Sequence, residues 1–271
     1  MARPVLVLGG GDYDRGDRRD EVSLPKPYYE EPGIVIYHGD AREILPHLEG
    51  IDMIFTDPPY GHNNNNGDLI HHWEAALGRG PHGEARSIQN DGAEANDLIQ
   101  WFFSASAKLL EPGACCCCCC GGGGGPDPQF ARWSLWMDQV YDFKQMVVWD
   151  KGPMGMGWHY RRSYETVLVG QVPGAACRWY DETDRVENII RDIPKIIPHA
   201  DDHPTPKPPA LAANFLVLHS QRGDTVLDPF MGVGSTAVGA KLLGRQFVGI
   251  EIEERYCEMA VRRLAQAVLP L

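Results

Sequence analysis

An α/β fold built on a largely parallel sheet is what this sequence predicts, and three observations point there. Seven short, mostly apolar runs recur without strict polar alternation: Ile34–Tyr37, Asp52–Thr56, Ala114–Cys120, Gln145–Trp149, Thr166–Val169, Thr225–Asp228 and Gln246–Ile250. Such runs suit strands buried on both faces, as in parallel sheets covered by helices. Helical patterns lie between most of them. The composition agrees: 271 residues, 43% hydrophobic and 23% charged, suit a soluble globular protein with one large domain or one domain carrying a small insertion.

Residues 1–27 read as an N-terminal extension. A short apolar stretch there soon turns charged, which is not the pattern of a secretory signal. No run of about 18 apolar residues occurs, so a spanning helix is excluded and a cytoplasmic location is expected. The helical segments are Asn96–Leu110, Gln129–Tyr141, Ala210–Ser220, Ser235–Leu243 and Glu253–Val268. The last has Met259, Ala260, Leu264, Ala267 and Val268 at helical spacing. Acids (Glu251, Glu253, Glu254) precede and open it, and Arg262 and Arg263 lie in its second half, which suits the helix dipole.

Two segments do not look like scaffold. His62–Ala95, rich in Asn, Gly and His (His62, Asn63 to Asn66, His71, His72, His82), is expected to be a mobile loop rather than a metal site, because no regular ligand spacing appears. Val172–Pro208 mixes Arg178, Trp179, Tyr180, Arg185, Arg191 and Lys195 with acids and prolines, and is the candidate recognition insertion. Trp133 and Trp136, three apart on a helix, are expected in the core rather than on a stacking platform.

The net charge of −12 argues against coating nucleic acid by bulk electrostatics. The acidity is uneven, however: residues 1–143 carry a balance of −12, residues 144–222 of +1 and residues 223–271 of −1. A polyanion could therefore meet a locally neutral or basic face in the second half. Six of the eight cysteines are consecutive, Cys115 to Cys120. Neighbours on a strand face opposite ways, so the run cannot be a disulfide framework, and without spaced CxxC pairs it reads as a buried strand rather than a metal cluster. Cys177 and Cys257 stand alone in the sequence, no metal site is expected, and the compartment reads as reducing.

Three motifs carry chemistry. Asp57-Pro58-Pro59-Tyr60 directly follows an apolar strand, which places a carboxylate, a rigid turn and an aromatic face at the sheet edge where open α/β folds bind ligands. The prolines remove two N–H donors, so the turn offers acceptors, which suits a planar base with an exocyclic amine. The second motif, Asp228-Pro229-Phe230-Met231-Gly232-Val233-Gly234-Ser235-Thr236, runs from a strand through a glycine turn into a helix that Ser235 and Thr236 could cap. It is not a P-loop, because no Lys follows the second glycine, and it lacks the three-glycine dinucleotide spacing. Glu251, ending the next strand, is placed to accept from ribose hydroxyls, so a nucleoside-bearing cofactor without a bound pyrophosphate is favoured. The third motif, His203-Pro204-Thr205-Pro206-Lys207-Pro208, reads equally as a linker or as part of the site.

In this order the motifs resemble the amino-methyltransferases that use S-adenosyl-L-methionine to modify DNA bases, in the permuted group with DPPY before the glycine loop. The likeness runs from about Tyr28 to the C-terminus. It also takes in Tyr37-His38-Gly39-Asp40, His159-Tyr160-Arg161-Arg162-Ser163-Tyr164-Glu165 and the stretch from Phe247 to Ala260. The resemblance implies a Rossmann-like, seven-stranded, mostly parallel methyltransferase sheet, circularly permuted, with a small irregular recognition insertion. It divides the chain into a catalytic half (28–171), a recognition insertion and linker (172–208) and a cofactor-binding half (209–271).

Asp57 and the Pro58 carbonyl would then accept from the target amine, with Pro59 stiffening the turn and Tyr60 stacking on a flipped base. Asp228, Phe230, Gly232, Gly234, Ser235 and Thr236 would surround S-adenosyl-L-methionine, with Glu251 on its ribose and Asp40 and Lys207 completing the pocket. Arg161 and Arg162 are the candidate phosphate contacts. Double-stranded DNA is the expected partner, with no membrane. Adenine-N6 is favoured over cytosine-N4 because adenine enzymes of this family usually carry Asp at the first DPPY position. RNA or protein-glutamine methylation, and a non-catalytic binder, are the competing readings. The recognition sequence and any nuclease partner leave no readable code.

Overall fold

The computed structural model describes residues 24–61, 92, 94–120, 129–152, 163–196 and 206–267. In chain order the elements are β1 (Tyr29–Glu31), β2 (Ile34–His38), α1 (Ala41–Ile44), β3 (Met53–Thr56), α2 (Ala95–Ser106), β4 (Cys115–Cys120), α3 (Gln129–Asp138), β5 (Asp142–Asp150), β6 (Tyr164–Gln171), β7 (Ile189–Ile190), α4 (Pro209–His219), β8 (Thr225–Asp228), α5 (Ser235–Leu242), β9 (Gln246–Glu251) and α6 (Glu254–Gln266). Short 3-10 turns follow α1 at Leu45–His47 and α2 at Ala107–Leu109.

The strands form one sheet in the order β1-β2-β9-β8-β3-β4-β6-β5-β7. From β2 to β4 it is parallel throughout. Beyond β4 it turns mixed, because β6 runs antiparallel to both β4 and β5. All seven predicted strands are present, but β5 is not buried on both faces as expected. It lies next to the sheet margin, covered on its outer side only by the two-residue β7, and of its residues only Trp149 is buried. The two unpredicted ones, β1 and β7, are three and two residues long and too short to leave a pattern. Helix α1 was likewise missed, since four residues capped by Asp40 make barely one turn.

The sheet separates two apolar layers. Ile34, Ile36, Met53, Phe55, Phe215, Val226 and Phe247 pack on one face with α4, α5 and α6. Val35, Tyr37, Ile54, Phe102, Trp133, Leu227 and Val248 fill the other with α2 and α3. The cysteine strand shows the period-two geometry directly. Cys117 and Cys119 join the first layer and Cys116, Cys118 and Cys120 the second, all essentially without solvent contact. Here cysteine packs as a small hydrophobe, as expected. Of the two tryptophans expected in the core, Trp133 is fully buried, whereas Trp136 is only half-buried at the margin of the second layer.

The parallel register matters most for what it aligns. β2, β9, β8, β3 and β4 all point their carboxyl ends to one edge, so Asp40, Glu251, Asp228 and Asp57 follow or end neighbouring strands there. Antiparallel β6 begins at that edge, with Cys120 opposite Thr166, which brings Glu165 to it as well. No helix among the described residues is long and apolar enough to cross a membrane.

The stretch after β6 is largely irregular. It starts at the opposite edge, where Arg178 donates its backbone N–H to the Gly113 carbonyl and ion-pairs with Asp52 and Glu111 (3.0 Å each). It then returns along β5 to pair as β7, and the Trp149 indole N–H donates to the Ile193 carbonyl at 2.7 Å.

Candidate active site

The site begins with the turn after β3. Thr56, the last residue of β3, is buried, and the chain then leaves the sheet through Asp57-Pro58-Pro59-Tyr60. Asp57 Oδ2 receives the Lys207 ammonium at 2.5 Å, and the Tyr60 hydroxyl donates to Asp57 Oδ1. The same ammonium lies 3.1 Å from the Tyr60 hydroxyl, 5.3 Å from the Tyr60 ring centroid and 3.3 Å from Glu165 Oε2. Lys151 completes the group by pairing with Glu165 Oε1 at 2.6 Å. Trp133 sits beside the Tyr60 ring, centroids 5.9 Å apart.

The electrostatics follow from this chain of opposite charges. Burial disfavours a charged Lys207, but Asp57 and Glu165 outweigh it and hold the ammonium protonated well above its usual range. Burial would likewise push the Glu165 carboxyl up, yet Lys207 and Lys151 bring it down to about 2. Burial, then the Asp57 charge, pushes the Tyr60 phenol up, so it stays a neutral donor. The result is a carboxylate presented at the sheet edge with its counter-ion supplied from behind.

The glycine turn follows the adjacent strand, β8. Gly234 starts α5 at φ 75°, and a Cβ there would lie 2.8 Å from the Ala260 Cβ, so glycine alone fits both the conformation and the packing against α6. Ser235 and Thr236 do not cap α5, contrary to the sequence expectation. Gly234 occupies the cap position without a side-chain bond, which leaves Ser235 and Thr236 inside the first turn and their hydroxyls free to reach neighbouring loops. Ser235 Oγ donates to the Lys207 carbonyl at 2.6 Å and Thr236 Oγ1 to Asp228 Oδ2 at 2.6 Å. The first bond fixes the backbone that carries Lys207 toward Asp57.

Asp228 is 2% exposed and turned inward. Besides Thr236 it accepts from Thr56 Oγ1 at 2.7 Å and from the Phe230 N–H at 3.2 Å, so it braces the two turns against one another. Burial pushes its carboxyl up to about 6 against these three bonds. Glu251 accepts from the N–H groups of Gly232 and Glu253, both at 2.8 Å, and burial pushes it up to about 7. Asp40 caps α1 and takes the Arg42 guanidinium at 2.6 Å, and that contact pulls its carboxyl down. The Gly39 N–H donates to the Glu251 carbonyl at 2.9 Å, which links the Asp40 turn to β9. Phe230 packs edge-on against Phe102.

The expected residues Asp40, Asp57, Pro58, Pro59, Tyr60, Lys207, Asp228, Phe230, Gly232, Gly234, Ser235, Thr236 and Glu251 thus gather at one edge of the sheet. Arg161, Arg162, His203 and nearly all of the His62–Ala95 stretch lie outside the described residues. Sequence reasoning assigned no part to Glu165, Lys151 or Thr56. For Glu165 a signal existed, an acid opening an otherwise apolar strand; for Thr56 there was none.

The chemistry of the donors suits a nucleoside carrying a positive centre. Carboxylates dominate the rim, and the one described ammonium beside Asp57 is already paired with two of them. A pyrophosphate would find little welcome there.

Comparison with known proteins agrees. Residues 51–262 match the N6_N4_Mtase family, described as DNA methylase. Type II methyltransferase M2.DpnII of Streptococcus pneumoniae is 26% identical over 264 residues, covering 90% of this chain and 94% of that protein. DNA adenine methyltransferase YhdJ of Escherichia coli K12 is 27% identical, over 84% of this chain and 82% of its own. Among solved structures, the M1.HpyAVI–SAM complex superposes with a TM-score of 0.60 at 25% identity, covering 85% of this chain and 98% of that one. The cytosine-N4-specific PvuII DNA methyltransferase shares the fold, with a TM-score of 0.65 at 16% identity over 89% and 93% of the chains. The chain belongs to the N6/N4 family of DNA amino-methyltransferases.

Proposed function

We propose that this enzyme transfers a methyl group to the exocyclic N6 of an adenine flipped out of duplex DNA, with Asp57 as the acceptor that aims the amine. The observation that carries this reading is the placement of the Asp57 turn and the glycine turn on adjacent parallel strands, β3 and β8, joined by the Thr56–Asp228 hydrogen bond of 2.7 Å. On this reading, the adjacency would set the amine acceptor beside the donor pocket. Bound S-adenosyl-L-methionine supplies an already activated methyl group on its sulfonium. What remains for the chain is positioning.

Asp57 and the Pro58 carbonyl take the two amine hydrogens, which turns the nitrogen lone pair out of conjugation and toward the methyl carbon. Once methylated, the nitrogen would shed one of its two protons to Asp57 or to water. Each carboxylate oxygen accepts at more than one site, so the base amine joins or replaces the Tyr60 hydroxyl at Oδ1 while Lys207 keeps Oδ2. Tyr60 then offers its ring face to the base. Gly232, Gly234 and Phe230 line the donor pocket, Glu251 accepts from its ribose through lone pairs left over by the two backbone N–H groups, and Asp40 closes the rim. Asp228, Ser235 and Thr236 act through the turns they brace. Arg161 and Arg162 contact phosphates.

Asp at the first position of DPPY favours adenine, as does the resemblance to YhdJ, named an adenine enzyme. The test is transfer of labelled methyl from S-adenosyl-L-methionine to unmethylated duplex DNA, followed by nucleoside analysis. N6-methyladenine is expected. N4-methylcytosine would overturn the base assignment, and no incorporation into any duplex would overturn the substrate.

A further inference from the structure

At the edge of the sheet opposite Asp57, three residues distant in sequence converge. Cys115 opens β4, Cys177 lies in the irregular stretch after β6, and His219 ends α4. Their ligand atoms, one from each residue, all fall within 4.8 Å of one another, and the two sulfurs are 3.4 Å apart. We propose that Cys115, Cys177 and His219 bind a thiophilic divalent ion of the zinc class, with the fourth position taken by water.

Three observations fit this site. Tetrahedral zinc with Zn–S bonds of about 2.3 Å sets its sulfurs roughly 3.8 Å apart, within a few tenths of an ångström of the spacing seen. A disulfide needs about 2.0 Å, so the sulfurs would have to close by more than an ångström. The third group is an imidazole whose Nδ1 lies 3.2 Å from the Arg178 carbonyl and whose ring meets Trp179 edge-on at 5.2 Å. A backbone contact that orients the ring is the usual companion of a metal-ligating histidine. Cys177 and His219 also line a cavity of about 220 Å³ with Trp179 and Phe215, so solvent has access to that side of the cluster.

The bond balance is simple. Two S–H bonds break and their protons go to water, two metal–sulfur bonds and one metal–nitrogen bond form, and the two thiolates cancel the charge of the ion. A neutral complex is the form that the buried Cys115 tolerates. Such an ion would clamp the stretch after β6 to β4 and α4. No CxxC spacing announces it, because its ligands come from three separate elements.

The test uses the full chain, reduced with a non-chelating phosphine and stripped of metal, then titrated with Co2+ and afterwards with Zn2+. One equivalent of cobalt should produce sulfur-to-metal charge-transfer absorption, and zinc should abolish it. Cys177→Ala and His219→Ala should each weaken binding by about 100-fold or more, while Cys257→Ala leaves it unchanged. Cys177 is exposed, so its variant keeps the test clear of folding defects. Absence of the band at one equivalent, or affinity unchanged in both ligand variants, would overturn the site. So would a Cys115–Cys177 disulfide formed on air oxidation by a protein that, when reduced, ignores cobalt.

Discussion

Two Asp-Pro turns leave this sheet from adjacent parallel strands, and they are put to opposite uses. Asp57-Pro58 follows β3, and its carboxylate stands at the rim with Lys207 and Tyr60. Asp228-Pro229 ends β8, and its carboxylate is buried between Thr56 and Thr236. The local sequences begin alike, yet one aspartate is offered to a ligand and the other is consumed as an internal brace. What separates them is the surroundings: a buried ammonium faces the first, while only neutral hydroxyls and an amide face the second. A lysine can offer a carboxylate a full counter-charge at an edge, whereas neutral donors only soften the penalty of burying one.

The largest expected effect comes from the exposed turn. Asp57→Ala should cut methyl transfer by about 1,000-fold or more while S-adenosyl-L-methionine binding stays near normal, as isothermal titration would show. Turnover close to wild type would mean that Asp57 is not the acceptor. Next, Lys207→Met removes the cation shared by Asp57 and Glu165 and leaves two carboxylates facing one another. Turnover should fall by roughly 10- to 100-fold, and Lys207→Arg should restore part of the loss. Turnover near wild type in Lys207→Met would break the claim that the lysine holds the Asp57 turn in place.

The buried turn should respond in stability before activity. Thr236→Val deletes one of the three donors to Asp228 and should cost about 1–3 kcal/mol in chemical denaturation, with a smaller change in turnover. If turnover collapsed while stability held, Asp228 would have to be reassigned to the cofactor.

The smallest effect is a slope with pH. Asp228, pushed up to about 6, and Glu251, pushed up to about 7, hold their protons more tightly folded than unfolded. Their contribution is therefore complete below about pH 4 and is lost as pH rises through 6 to 7. Glu165, held to about 2, works the other way and contributes above about pH 4, with that contribution lost as pH falls toward 2. Asp228→Asn should flatten the decline in melting temperature between about pH 4 and 6 relative to wild type. An unchanged slope would show that Asp228 is not the buried acid described.

By itself, the sequence determined the strands and the order of the motifs. Apolar runs read directly as strands, though burial on both faces failed for β5 near the sheet margin, and the turns after Thr56 and Asp228 had to fall at strand ends, because both signals are local. Even the cysteine run was readable, since alternate side chains on a strand must face opposite layers. Only the tertiary structure decided which side chains meet. Lys207 and Asp57 are 150 positions apart, and Thr56 and Asp228 are 172 apart, so no spacing could announce either contact. Whether Ser235 caps its helix or reaches the Lys207 carbonyl depends on the loop beside it, and so does whether a cysteine stands alone. Periodicity is written along the chain, but the pairing of charges and donors is settled by which strand ends the sheet brings together.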